Sequence, residues 1–206
     1  DRYFRGVTGR GFITGNPDLE PETSTQLDGG VRYTARRLRG GFYLYHYEIH
    51  DLIERYQDGP DLFFFRNRGS ARIRGIELEL QADLAREVAL EIGFQRQSGV
   101  ALDDDTPLDD ISPMTFFAQV RKDFGRKAFV QARAAFYAED DEPGPTEVAM
   151  PGWNVFDVSA GYRFDERFEI RFLGRNLFDE SYPVSSDARA VLAPGISGIL
   201  SLHVSL

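Results

Sequence analysis

The chain has 206 residues, 33 acidic against 24 basic side chains, and no cysteine. A net charge of −9 opposes a duplex nucleic-acid partner, whose phosphates select basic surfaces, and the missing thiols exclude disulfide scaffolds, Cys-ligated zinc, iron–sulfur clusters and thiol catalysis. No run reaches the roughly 18 consecutive apolar residues of a membrane helix, yet 17 Phe and 9 Tyr sit in a chain whose mean hydropathy is −0.37. A soluble globule meets those numbers, and so does a barrel whose apolar face is interrupted at every second residue.

In chain order, alternation of apolar and polar residues predicts nine strands, at 22–36, 40–56, 62–83, 87–99, 113–123, 127–139, 153–164, 167–177 and 194–206. In the second, Tyr43, Tyr45, Tyr47 and Ile49 form the greasier face and oppose His46, Glu48 and His50, which are expected to line an aqueous interior. In the third, Ile76, Leu78, Leu80 and Ala82 oppose Gly75, Glu77, Glu79, Gln81 and Asp83. The fourth sets Leu90, Ile92 and Phe94 against Glu91, Gly93, Gln95 and Gln97. The same reading gives Val130, Ala132, Ala134 and Phe136 against Gln131, Arg133 and Tyr137, and Phe168, Ile170 and Phe172 against Glu169, Arg171 and Arg175. Aromatic girdles are expected from Tyr33, Phe124, Tyr162, Phe164 and Phe168 at one end, and from Tyr56, Phe117 and Trp153 at the other.

Short turns near 36–39, 84–86, 124–126 and 165–167 alternate with longer loops at 57–61, 100–112, 139–152 and 178–193. Strands of 11 or more residues with turns at one end and loops at the other predict an all-β, antiparallel, up-and-down transmembrane β-barrel, its long loops extracellular. Nine strands do not close such a barrel without a parallel seam. The expectation is therefore the carboxy-terminal part of a larger barrel, with residues 1–206 forming one portion of that domain.

Three motifs then carry a family resemblance. Gly15-Asn16-Pro17-Asp18-Leu19-Glu20-Pro21-Glu22-Thr23-Ser24 resembles the GNPxLxPE signature of TonB-dependent outer-membrane receptors. Phe65-Arg66-Asn67-Arg68-Gly69 with Ile73-Arg74-Gly75-Ile76-Glu77 is similar to that family's YxNxG…xxGxE strand, and Arg175-Asn176-Leu177-Phe178-Asp179-Glu180-Ser181-Tyr182 to its xNLFDxxY element. Two residues depart from the pattern: Ile196 follows Pro194-Gly195 where the family has Arg, and Leu206 stands where a terminal aromatic is associated with the barrel-assembly machinery. The physical reading of the motifs is structural. Pro17 and Pro21 cannot donate to a ladder, Gly75 leaves room for neighbouring side chains, and Asn176 and Asp179 suit a tight turn.

The resemblance implies a barrel of 22 strands and a plug domain and TonB box lying outside these residues. It also implies uptake of a scarce ligand, most often a ferric siderophore, by TonB-energised transport across the outer membrane of a Gram-negative bacterium. Partners would be the TonB complex, outer-membrane lipid and lipopolysaccharide, and the ligand; no enzyme activity and no cofactor are expected. On the inward face toward the long loops, Asn67, Arg68, Gln95, Gln97, Tyr137 and Arg175 are the candidate ligand-wall residues. A passive porin-like channel and a soluble β-sandwich or lipocalin-like binding module are the rival readings.

Other constellations carry little chemistry. His46 and His50 lie about 13 Å apart along one strand, beyond the reach of one metal ion. The acidic runs Asp103-Asp104-Asp105, Asp109-Asp110 and Glu139-Asp140-Asp141-Glu142 fit no EF-hand and read as solvated charge. Gly6, Gly9 and Gly11 lack the spacing of a dinucleotide loop. Arg72 and Arg74 share parity with the outward Ile76 and Leu78, a position suited to lipopolysaccharide phosphates.

Overall fold

The computed structural model describes residues 6–8 and 11–204, so Gly9 and the chain end at Leu206 lie outside the described residues. Every element is a strand: β1 (Gly6–Thr8), β2 (Gly11–Thr14), β3 (Thr23–Thr34), β4 (Leu38–Gln57), β5 (Leu62–Ala85), β6 (Val88–Ala101), β7 (Thr115–Phe124), β8 (Ala128–Tyr137), β9 (Trp153–Arg163), β10 (Phe168–Arg175) and β11 (Ser197–Val204). From β3 to β11 each strand pairs antiparallel with the next in a single meander. These nine are the strands that the alternation predicts. The short hairpin β1–β2, whose second strand runs parallel to the start of β5, was not expected. Strands of three and four residues are too short for a period of two to show.

Register makes the two faces explicit, since directly paired residues share a side. Val31, Phe42, Leu78, Phe94, Phe116 and Phe136 form one unbroken apolar row across six strands. The opposite face carries Gly30, Tyr43, Glu77, Gln95, Thr115, Tyr137 and Trp153 in one row, and Asp28, Tyr45, Gly75 and Gln97 in the next. The apolar face is bare: Leu27 is 73% exposed, Val31 70% and Leu200 71%. A patch of this size belongs against something other than water. The one buried cluster among the described residues, Ala71, Ala101 and Leu108 with Ile49, Leu52, Ile73 and Ile111 packed on it, lies under the 102–114 loop.

The register corrects the reading of β4. His46 pairs with Arg74 and Glu48 with Arg72, which places them on the apolar side with Ile76, while Tyr43, Tyr45 and Tyr47 occupy the polar face. Tyrosine is amphipathic, and here each hydroxyl finds a polar-face acceptor: Tyr43 donates to Glu79 (2.9 Å), Tyr45 to Gln97 (2.9 Å) and Tyr47 to Asp28 (2.9 Å). The true apolar residues of this strand are Phe42 and Leu44.

The girdle holds at the short-turn end, where Tyr33, Phe124, Tyr162, Phe164 and Phe168 are all exposed and the first three pair with Gly40, Ala128 and Ile170 on the apolar side. At the other end Tyr56 stacks on Phe64, but Phe117 and Trp153 point to the polar face. Phe117 does so because its ring fills the space above Gly93; Phe129 over Gly161 and Tyr45 over Gly75 repeat the arrangement, leaving no room for a methyl group at these glycines. The side-chain-free position read at Gly75 thus receives a neighbouring ring.

Candidate functional site

The long-loop end of the polar face is built from the three motifs. The first lies across β4 and β5 and is locked to the second. Asn16 caps its own turn through Asp18 N (3.0 Å) and donates to Phe65 O (3.2 Å). Asn67 Oδ1 accepts from Glu20 N (2.7 Å), while its Nδ2 donates to Glu20 O (2.9 Å) and Asp51 O (2.7 Å). Glu22 then accepts from Ile53 N (2.9 Å), and Leu19 is buried beneath the segment. Between these contacts Pro17 and Pro21 have no N–H to pair, so the chain joins the ladder only at Thr23.

Arg68, next to this lock, is buried and held by Glu54 (2.6 Å), Asp103 (3.4 Å) and Asp104. The acidic run stays exposed at Asp103 and Asp104 but is paired there with Arg68: Leu102 N donates to Ser70 O (2.7 Å), which brings the loop onto β5 beside the guanidinium. Hydrogen bonds from Thr106 and then the charge of Arg68 hold the Asp104 carboxyl below the usual carboxylate range. Asp109 also has partners, accepting from Thr146 N (2.9 Å) and Thr146 Oγ1 (2.8 Å).

The third motif forms a knot at the top of β10. Asn176 is 3% exposed with φ at 49°; its Nδ2 donates to Glu180 O (2.8 Å) and Pro194 O (3.3 Å), and its Oδ1 accepts from Glu180 N (2.9 Å). Asp179, at φ 54°, accepts from Ile196 N (2.8 Å) and closes the other side of the loop. The knot sets Tyr182 over Trp153, which in turn stacks on Tyr137: centroid distances are 5.3 and 4.6 Å with interplanar angles of 6° and 12°. Trp153 is 8% exposed, and burial raises the Tyr182 phenol above its ordinary pKa, so it stays neutral.

Loops 102–114, 138–152 and 176–196 share one polar network above this wall. Arg55 donates to Thr146 Oγ1 (3.0 Å); Glu147 accepts from Asp110 N (3.0 Å), Gly144 N (3.0 Å) and Ser186 Oγ. A groove of about 880 Å³ lies beneath, with Glu54, Arg55, Asp109 and Ser186 on its walls. A second, of about 890 Å³, is bounded by Asp28, Arg32, Tyr43, Tyr45, Tyr47 and Gln97.

Of the six candidate wall residues, Gln95, Gln97 and Tyr137 share the polar face in neighbouring rows. Gln95 and Tyr137 are two strand spacings apart, about 10 Å. Arg175 stands on the same face opposite Ser197, exposed and with no side-chain partner among the described residues. Asn67 and Arg68 lie in the lock instead, their polar atoms committed to backbone and carboxylates. Tyr45, Trp153 and Tyr182 join this wall without having been singled out for it; their signal was an aromatic on the polar side of an alternating strand or beside a motif.

The family described as TonB dependent receptor-like, beta-barrel matches residues 1–177. The vitamin B12 transporter BtuB of Vibrio vulnificus (strain YJ016) is 27% identical over 196 residues, 87% of this chain and 30% of that protein. Among solved structures, the copper transporter OprC superimposes with a TM-score of 0.85 at 20% identity, over 92% of this chain and 32% of its own. The siderophore receptor PirA from Acinetobacter baumannii gives 0.74 at 17% identity, over 95% and 33%. The chain thus spans about a third of the length of these relatives. Its meander, its two faces and its motif-built loop end are those of a partial barrel, and the chain belongs to the TonB-dependent receptor β-barrel family.

Proposed function

We propose that this segment is the carboxy-terminal wall of an outer-membrane receptor that imports a ferric siderophore by TonB-energised transport, with the plug and the remaining strands, 22 in all, supplied by the rest of the polypeptide. In this reading the bare apolar face meets lipid and the polar face lines the lumen. The observation that carries it is the lumen wall under the stitched loops, where the Tyr137–Trp153–Tyr182 stack lies between the Tyr45–Gln97 pair and the unpaired Arg175. Flat aromatic surface with hydroxyl, amide and guanidinium groups suits a bulky, anionic, aromatic iron chelate. Relatives named for siderophores support the same reading; the sequence relative is named for vitamin B12, which makes cobalamin the second reading.

The test is a binding titration of the intact receptor in detergent with ferric catecholate and hydroxamate siderophores, haem and cobalamin. Saturable siderophore binding that weakens at least about tenfold in Gln97→Ala with Arg175→Ala is expected, the loss of two polar contacts. Binding of cobalamin alone moves the assignment to the second reading, and saturable binding of none of them refutes the uptake of these ligands.

A further inference from the structure

Beyond the lumen, one group of charges faces the other way. Arg72 and Arg74 of β5 and Arg96 of β6 stand on the apolar face, as do His46 and Glu48 of β4, because they pair in the register that carries Leu44 and Ile76. The row Leu27, His46, Arg74, Ser98 follows directly on the row Gly29, Leu44, Ile76, Arg96. Below these rows the face is apolar down to the exposed aromatics of the short-turn end, with Lys122 beside them. Arg74 is eight residues above Ala82 on β5, as Phe136 is above Ala128 on β8, a rise of roughly 20 Å for strands tilted as in membrane barrels. The guanidiniums therefore sit where the hydrocarbon band ends on the extracellular side.

Their charge is only partly offset. Glu48 stands opposite Arg72 and shares its carboxylate with His46 at 3.3 Å. Arg74 donates only to the neutral Ser98 hydroxyl (3.3 Å), and neither Arg72 nor Arg96 has a side-chain partner among the described residues. Arg72 and Arg74 are one period apart on the strand, about 7 Å, and Arg74 and Arg96 are diagonal neighbours at about the same spacing. Like charges so placed repel one another unless an anion lies across them. A planar guanidinium binds phosphate through two parallel hydrogen bonds.

We infer that Arg72, Arg74 and Arg96 form a binding site on the outside of the barrel for the phosphate groups of an outer-leaflet lipid, a phosphorylated glycolipid of the lipopolysaccharide type. The acyl chains of that lipid run down over Leu44 and Ile76 and then Leu78 and Phe94 of the next row, and its phosphates bridge the three guanidiniums. The continuity of charge with apolar surface commits the site to a lipid: a free anion needs no greasy floor.

The test uses the intact receptor in a neutral detergent, titrated with lipopolysaccharide, with the same lipopolysaccharide stripped of its phosphates, and with inorganic phosphate. Binding is read by native mass spectrometry, and barrel integrity by the mobility of the unheated protein on a gel. Replacing Arg72, Arg74 and Arg96 together by Gln weakens lipopolysaccharide binding by about a hundredfold, roughly fivefold per guanidinium. The dephosphorylated lipid binds wild type as weakly as the intact lipid binds the triple variant, and Lys122→Gln at the opposite rim has no effect. Equal affinity of wild type and a folded triple variant overturns the proposal, as does equal binding of the dephosphorylated lipid. Saturation by inorganic phosphate at concentrations comparable to the lipid would make this a free-anion site and also overturns it. None of these readouts depends on which ligand the lumen takes.

Discussion

Asn176 offers a quantitative test of how the third motif shapes the loop end. Replacement by Gly removes its three side-chain hydrogen bonds and leaves Glu180 N–H, Glu180 O and Pro194 O without that partner in a site 3% exposed. At about 1 kcal/mol net for each, the local structure loses about 3 kcal/mol. Ala removes the same bonds and must also hold φ near 49°, which costs a residue with a Cβ about a further 1 kcal/mol. In hydrogen exchange of the intact receptor, amides 177–196 of Asn176→Gly exchange roughly a hundredfold faster than wild type, and those of Asn176→Ala about fivefold faster again. The strands, whose ladders are untouched, keep their protection. Equal exchange in the Gly and Ala variants would refute the conformational part of the argument, and unchanged protection at Glu180 would refute the whole of it.

Asn67→Ala frees the Glu20 N–H and two carbonyls at an exposed lock, so water recovers part of the loss; residues 15–22 open by about 1–2 kcal/mol and are cleaved faster in limited proteolysis, with β5 intact. Gly75→Ala drives a methyl group into the Tyr45 ring and lowers stability to guanidinium by about 1–3 kcal/mol. Adding Tyr45→Ala restores part of it, whereas strict additivity of the two changes would exclude the contact. Asp104, whose pKa is lower folded than unfolded, contributes stability that is complete above the ordinary aspartate range and is lost as pH falls through the lowered folded value. Protection of the 102–114 loop is thus constant from pH 7 to about pH 5 and fails only below about pH 4, and Asp104→Asn abolishes that dependence.

Alternation located the nine long strands within a few residues, because one face is predominantly apolar along most of each strand and the other is not. It misassigned β4, where Tyr43, Tyr45 and Tyr47 have greasy rings and polar tips and only their partners across the sheet decide the side. Phe117 and Trp153 failed similarly, since a glycine opposite or a ring above makes an aromatic welcome on a polar face. The motifs showed that Asn67 and Asn176 matter but not that one binds Glu20 and the other Pro194, contacts reaching 47 and 18 residues along the chain. The role of Asp103 and Asp104 was hidden for the same reason, as their Arg68 is 35 and 36 residues away.

The rings that rest on glycines have a further consequence for assembly. Inside–outside patterning forbids a strand from slipping by one residue but is blind to a slip by two, which returns every side chain to its own face. A slip of two in either direction would set Phe117 against Glu91 or Gln95 in place of Gly93, Tyr45 against Ile73 or Glu77 in place of Gly75, and Phe129 against Ser159 or Arg163 in place of Gly161. None of those positions has the space that a glycine leaves. Spread over three seams, these pairs make the even-numbered misalignments sterically distinct from the native one, so a barrel built from near-repetitive strands still has a single way to zip.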